Sequence, residues 1–335
     1  MNVLHLNSTQ AGTGGDEALR QSVELGLARV GGSGAPVAAI RRREFSGSTS
    51  YAVEIVTVEL ATGDTIEVFL KDYGRSKLPK DAAAERRERE LCVYEELLEQ
   101  DLGTALFYGA RRDDVASRFW LMIEFVEGEL LRDCTYEYWP AAAAWLGRLH
   151  GHFSGQRDRL QASGFLVHHD ADFFIRAAER ALGAVSGLSE ALAQRLATVL
   201  DGYDPVLAVL TRDSDTLVHG SYRPQNVLVD RSSEPTRICP TDWELAAFGR
   251  STYDLAFLCD GFRPPRLDEL FDAYEREAES SGVSLRDRGE LRYEVDCFRL
   301  HKTINSLGHL RQWPHPAETA AKVVVTAEEI ARMLA

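Results

Sequence analysis

The chain has 335 residues, 44% hydrophobic and 27% charged, which is the make-up of a soluble globular protein long enough for two packed lobes. Its 38 Lys and Arg against 52 Asp and Glu leave a formal net charge of -14, which excludes a basic nucleic-acid surface and an electrostatic grip on anionic lipid. The best apolar run, Phe119-Trp-Leu-Met-Ile123, is cut by Glu124, well short of the roughly 20 residues that a spanning helix needs.

From the N-terminus, Met1–His5 lacks the basic start and apolar core of a secretory signal. Asp16 to Val30 reads as a helix between Gly14-Gly15 and Gly31-Gly32, and Gly31–Pro36 as a flexible connector. Residues 1–36 are therefore expected to form an appendage to the main body. Val37 to Asp72 has strand texture: Tyr51–Leu60, a turn at Ala61-Thr-Gly-Asp64, then Thr65–Leu70, which together read as a β-hairpin. A charged helix follows from about Ala82 to Glu99, with Leu91, Tyr94 and Leu98 on one face, and Phe119 to Val126 reads as a strand buried on both sides.

Beyond Gly128 the pattern is mostly helical, over Trp139–Phe153, Asp172–Leu182, Ser189–Leu210, Leu267–Glu279, Asp287–Arg311 and Glu318–Leu334. One β-rich island, Leu217 to Asp242, interrupts it. The expected architecture is α+β, with a small β-rich N-lobe at 37–126 and a larger, mainly helical C-lobe at 127–335 that carries the β island. Five scattered cysteines (Cys92, Cys134, Cys239, Cys259, Cys297) with no C-x-x-C pair argue against a disulfide scaffold or a cysteine zinc site, and the expected location is the cytoplasm.

The β island holds the chemistry. Asn226–Asp230 and Arg237–Pro240 read as strands flanking a turn at Ser232–Pro235, so Asn226, opening the first, and Asp242, closing the second, lie at the same end of the hairpin. An amide oxygen and a carboxylate make a hard oxygen site suited to Mg²⁺, which takes its remaining ligands from water and phosphate. Two turn residues capping a hairpin would show the same spacing, and these two positions alone leave both readings open.

Further motifs agree with the first reading. His219-Gly-Ser-Tyr-Arg-Pro-Gln-Asn226, then Asp242-Trp-Glu244, then Asp254-Leu-Ala256 resembles the aminoglycoside phosphotransferase and choline kinase family, whose catalytic loop is H-G-D-x-x-x-x-N. The resemblance runs from about residue 37 and implies a two-lobe protein-kinase-like fold that binds ATP and Mg²⁺. Position by position, it implies Asn226 and Asp242 as the metal pair and a phosphate-covering loop in Phe45–Tyr51, with Ser48 at its centre. It further implies that Lys71 grips the α- and β-phosphates, that Glu90 on the following helix pairs with Lys71, and that the backbone of Glu124–Val126 holds adenine. Glu88 is an alternative partner for Lys71, and each of these residues also has a plain reading as a turn residue or a solvated charge.

At one position the chain departs from the pattern: Ser221 stands where the family has the aspartate that accepts the acceptor's proton. A neutral hydroxyl cannot serve as that base unaided. Such a base is typically worth about 10²–10⁴-fold, and phosphoryl transfer depends mainly on positioning and charge neutralisation, so the change slows transfer rather than forbidding it. Glu244, two residues past the metal aspartate, is a candidate replacement, and Arg223 a candidate to steer an anionic group.

The expected activity is transfer of a γ-phosphate to a hydroxyl of a small molecule or of a peptide Ser or Thr. The alternative is a pseudokinase, a nucleotide-binding module that regulates a partner enzyme. Asp268, Glu269, Asp272, Glu275 and Glu277 would suit a cationic acceptor, or form an ordinary solvated helix face. His168-His-Asp-x-Asp172 resembles a metal cluster, but adjacent histidines point apart, and Asp170 or Asp172 is expected to cap the next helix. His219 is expected to hold the catalytic loop through a hydrogen bond toward Asp254.

Overall fold

A computed structural model of the chain describes residues 13–29, 36–47, 50–98, 102–212, 214–283, 287–310, 313 and 315–335. In chain order the elements are α1 (Thr13–Arg29), β1 (Val37–Glu44), β2 (Tyr51–Leu60), β3 (Thr65–Ser76), α2 (Ala83–Cys92), β4 (Phe107–Asp113), β5 (Arg118–Glu124) and β6 (Glu129–Leu130). Then come α3 (Trp139–Ser154), α4 (Arg157–Ala162), β7 (Val167–His168), α5 (Ala171–Ser186), α6 (Glu190–Asp201), α7 (Asp204–Leu210) and β8 (Thr216–Val218). The chain closes with β9 (Val227–Asp230), β10 (Arg237–Pro240), β11 (Ala247–Gly249), α8 (Thr252–Leu258), α9 (Arg266–Ser280), α10 (Arg288–Leu307) and α11 (Pro316–Leu334). Two compact units result: Met1–Glu129 with Leu228–Glu244, and Leu130–Val227 with Leu245–Ala335.

The first unit is built on a five-stranded antiparallel sheet in the order β1-β2-β3-β5-β4. Strand side chains alternate between faces. Val56 and Val58 of β2, Val68 and Leu70 of β3, and Trp120 and Met122 of β5 share one face, and α1 covers it with Leu19, Val23 and Leu27, spaced one helical turn apart. Burying each of those three is worth about 1.5–3 kcal/mol. The helix expected as an appendage is thus part of this core. Gly26 permits the contact, because a Cβ there would lie 1.6 Å from the Tyr108 carbonyl oxygen. By the same alternation Phe69, Lys71 and Tyr73 fall on the opposite face of β3, which is what aims Lys71 away from the α1 core.

The hairpin β9–β10, expected within the C-lobe at 127–335, clusters instead with the first unit. The reason is a set of long-range polar contacts. Arg237 bonds both carboxylate oxygens of Glu124 at 2.8 Å and also the carbonyls of Gly103 and Thr104. β4, which the sequence pattern did not reveal, completes the sheet edge, and α2 tightens after Cys92 into a π-helical turn over Val93–Leu97.

The second unit is mainly helical, with a small sheet in the order β7-β11-β8. The helix expected over Ser189–Leu210 is two, α6 and α7, because Gly202 ends the first and Pro205 opens the second. Asp170 caps α5 by accepting from the Phe173 N–H at 2.8 Å, as the sequence indicated. Among the described residues no helix is long and apolar enough to cross a membrane, and all five cysteines are free thiols.

His169 and His301 are buried in this unit among Phe173, Phe174 and Tyr253, with His301 Nδ1 2.8 Å from the Tyr203 hydroxyl. Burial depresses both imidazoles to about 3, aided by His301 for His169 and by Arg180 for His301. Each is neutral in the fold, whereas the unfolded chain takes up protons near pH 6.5. Stability is therefore full above about pH 6.5 and falls as pH drops toward 3, by up to about 1.4 kcal/mol per pH unit per histidine. Denaturant melts from pH 7 to 4 should show this loss, reduced in His301→Gln.

Candidate active site

The face of β3 that carries Lys71 is joined by α2 and by the residues after β10. Lys71 Nζ donates to Glu90 Oε2 at 2.7 Å and to Asp242 Oδ1 at 2.8 Å. Glu90 Oε2 also accepts from the Tyr73 hydroxyl at 2.7 Å, so two donors fix one carboxylate oxygen. Tyr51 and Tyr73 present their rings 5.5 and 5.2 Å from the ammonium. Burial alone would depress Lys71, but Asp242 and Glu90 more than reverse this and raise it, so the lysine stays charged. Burial pushes the Glu90 carboxyl up, an effect the Lys71 ammonium opposes. Glu88, the alternative partner, lies elsewhere, bonded to Arg112 at 2.6 Å.

Asp242 adopts φ +68, a left-handed conformation uncommon outside glycine but most accessible to Asp and Asn. Strained backbone of this kind gathers where geometry serves a site. Carboxylate oxygens of Glu90, Asp242 and Glu244 lie within 4.8 Å of one another. Glu90 is committed to Lys71 and Tyr73, and its side chain is 2% exposed; that of Asp242 is 39% exposed, which makes it the member of the three open to a cation. An oxygen donor of this type fits Mg²⁺.

Glu244 does not sit as a proton acceptor would. One of its oxygens takes a hydrogen bond from Lys80 at 2.5 Å and the other from Arg86 at 3.0 Å, its carbonyl accepts from Arg89, and its side chain is 7% exposed. Both oxygens are engaged, so the replacement-base role offered above is not supported. The residue fastens the segment after β10 to the start of α2, the helix that carries Glu90. Glu244→Gln should leave two half-buried cations without their charge partner and cost about 1–3 kcal/mol of stability, read from the denaturant midpoint.

Ser48 lies outside the described residues. The side chain of Glu124 is held by Arg237 and by the Leu106 N–H, and the Arg237 guanidinium, outweighing burial, keeps its carboxyl below the usual value. Val126, buried, follows where the chain leaves β5. Phe69 faces Phe45 at 5.8 Å, and Phe45 faces Phe125 at 6.4 Å, an edge-on aromatic group beside that segment.

The catalytic-loop motif lies at the end of the second unit's sheet. Asp254 on α8 accepts the backbone N–H groups of His219 at 2.6 Å and Gly220 at 3.0 Å, so His219 is bonded to Asp254, as the sequence suggested, and the loop is pinned through its backbone. His219 Nδ1 also accepts from the Ser221 N–H at 3.3 Å. Gly220 has φ +78, and a Cβ there would meet the Leu245 carbonyl oxygen at 1.9 Å, so only glycine fits. Tyr222 anchors the loop by stacking on Trp145 at 5.7 Å and donating to the Ala142 carbonyl. Asn226 Nδ2 donates to the Ser221 carbonyl at 3.0 Å and approaches its hydroxyl at 3.4 Å, which orients the amide.

A charged lysine fixed between two carboxylates, one of them open, together with a backbone-pinned H-G-x-x-x-x-x-N loop, defines the kinase-like class of phosphotransferase folds. The profile of the phosphotransferase enzyme family matches residues 53–293, and the chain belongs to that family. No curated protein sequence matches it. Among solved structures it is similar to a microcompartment-associated aminopropanol kinase, at 16% identity and a TM-score of 0.60 over 95% of this chain and 96% of that one. It is also similar to the GDP complex of aminoglycoside 2'-phosphotransferase-IIIa (15%, TM-score 0.57, 93% and 98% covered). Choline kinase from Cryptosporidium parvum Iowa II is a third such structure (14%, TM-score 0.59, 88% and 90% covered). These likenesses show the fold: α+β and protein-kinase-like, as the motifs implied.

Proposed function

We propose that the protein transfers the γ-phosphate of ATP to a hydroxyl of a small molecule, with Mg²⁺ held by Asp242 and Asn226. The observation that carries this reading is the bridge from Lys71 to Glu90 and Asp242, at 2.7 and 2.8 Å. It holds a cation of the kind a triphosphate needs, and beside it a carboxylate of the kind a divalent ion can use. Lys71 would hold the α- and β-phosphates, Glu90 and Tyr73 would keep Lys71 extended, and the backbone of Glu124–Val126 would take the base, with Phe69 and Phe45 as apolar walls. Bound Mg²⁺ would neutralise charge on the leaving phosphate. In the transfer, the acceptor oxygen forms its bond to Pγ as the bond from Pγ to the β-phosphate oxygen breaks. ADP leaves, and the hydroxyl proton passes to water. The structures of similar fold that carry GDP or ADP support a nucleotide in this role.

A second reading has one feature in its favour. With Ser221 in the aspartate's place, the chain could bind nucleotide without transferring phosphate and act on a partner enzyme. Thermal shift with Mg-ATP, followed by ADP release with a panel of alcohols, separates the two. Mg-dependent stabilisation with acceptor-dependent ADP release is expected. Stabilisation without release for any acceptor favours the binding module, and no stabilisation at all removes both readings.

A further inference from the structure

The acidic face of α9 first suggested a cationic acceptor. In the second unit its carboxylates already have partners. Asp272 and Glu275 bind Arg288, Asp268 binds Arg292, Glu277 lies 3.5 Å from Arg148, and Glu269 pairs with the Tyr136 hydroxyl. Each of these carboxylates already has a partner within the unit, so the face is committed to internal contacts rather than held open for a cationic acceptor.

The catalytic loop of the same unit has the opposite character. Arg223, two residues past Ser221, is exposed, and its guanidinium lies 5.1 Å from the Phe257 ring. Among the described residues no carboxylate pairs with it. Lys302 on α10 approaches the same ring, also at 5.1 Å, and binds Asp260 at 2.5 Å. Arg299 pairs with Asp296 at 2.7 Å and approaches Asp260 at 3.8 Å. Three cations thus stand against two carboxylates, and the unmatched charge is that of the residue in the loop itself. Arg223 and Arg299 both act to lower Lys302, with burial the larger cause, which places the three cations within electrostatic reach of one another. The serine at 221 works in the same direction, since it removes from the loop the one carboxylate that would repel an anion.

We infer that Arg223, supported by Lys302 and Arg299, forms an anion subsite, and that the phosphate acceptor is a hydroxyl compound carrying a carboxylate or phosphate group. The inference rests on the phosphotransferase reading and specifies its acceptor. A guanidinium is suited to both anions, because its planar fork matches their paired oxygens.

The test is calorimetric titration of the full chain in saturating Mg-ADP with four small probes: glycerate, glycerol 3-phosphate, glycerol and ethanolamine. One or both anions should bind at least about tenfold more tightly than glycerol, and ethanolamine no better than glycerol. Arg223→Ala should weaken the anion about 10- to 100-fold, the usual effect of losing a charged hydrogen-bond donor, and Arg223→Lys should restore part of it. The relative affinity of glycerate and glycerol 3-phosphate tells carboxylate from phosphate. Binding of neither anion, equal binding of ethanolamine, or an Arg223→Ala variant with unchanged anion affinity overturns the inference. Failure of Mg-ADP to bind the wild type would instead strike the phosphotransferase reading.

Discussion

Asp242→Asn is expected to reduce phosphoryl transfer by about 10³-fold or more, the scale on which a charged element of the transition-state clamp counts. The substitution is close to isosteric and keeps an oxygen for Lys71 Nζ, now at 2.8 Å. Asparagine also tolerates the φ of +68 that the aspartate adopts, so the fold should be retained. What is lost is the negative charge that a divalent cation requires. The variant should melt near the wild-type temperature without ligand and lose the Mg-dependent part of its stabilisation by ATP. Wild-type transfer rates in this variant would remove Asp242 from the reaction. Lys71→Met differs in kind: it strands the 2%-exposed Glu90 carboxylate without its cation, so its activity loss would be mixed with instability.

Ser221→Asp is the second large change, and here a gain is expected. Restoring a carboxylate to the loop should raise turnover by about 10²–10⁴-fold where removal of the hydroxyl proton limits the rate. The backbone can accept it, because the loop is set by Asp254, Gly220 and the Tyr222–Trp145 stack, none of which uses the serine hydroxyl. Asn226 bonds chiefly to the Ser221 carbonyl, which any residue supplies. The anion subsite adds a second, separable effect: a new negative charge beside Arg223 should raise KM for an anionic acceptor while kcat increases. Measuring kcat and KM with the acceptor that the wild type uses best resolves the two. An unchanged kcat would mean that no group at this position takes the proton.

The sequence was most informative where the chemistry is local. The catalytic loop, the Asp-Trp-Glu segment and Lys71 at the end of Val-Phe-Leu-Lys were readable because each is a short string, and the chain belongs to the family they indicated. The Glu90 pairing was readable only through that resemblance, since Glu88, two residues away, was an equal candidate by composition. The clamp on Glu244 could not be foreseen, because Lys80 and Arg86 meet it from 164 and 158 residues away in the chain. A separation of 113 residues likewise hid Arg237, whose bonds to Glu124 draw β10 into the first unit. The split between α6 and α7, by contrast, was written in Gly202 and Pro205 and was missed because the apolar spacing continues through them. The acidic face on α9 shows the limit of counting charges in one segment: the arginines that pair with it come from α3 and α10.

The first helix has a practical consequence. Its Leu19, Val23 and Leu27 shield Val56, Val68, Trp120 and Met122, so a version of the protein begun at Val37, where the first strand starts, would uncover a continuous oily surface behind Lys71. Such a shortened protein should aggregate or lose nucleotide affinity although every motif residue is retained. Recombinant work on this chain is therefore best done with the leading segment kept.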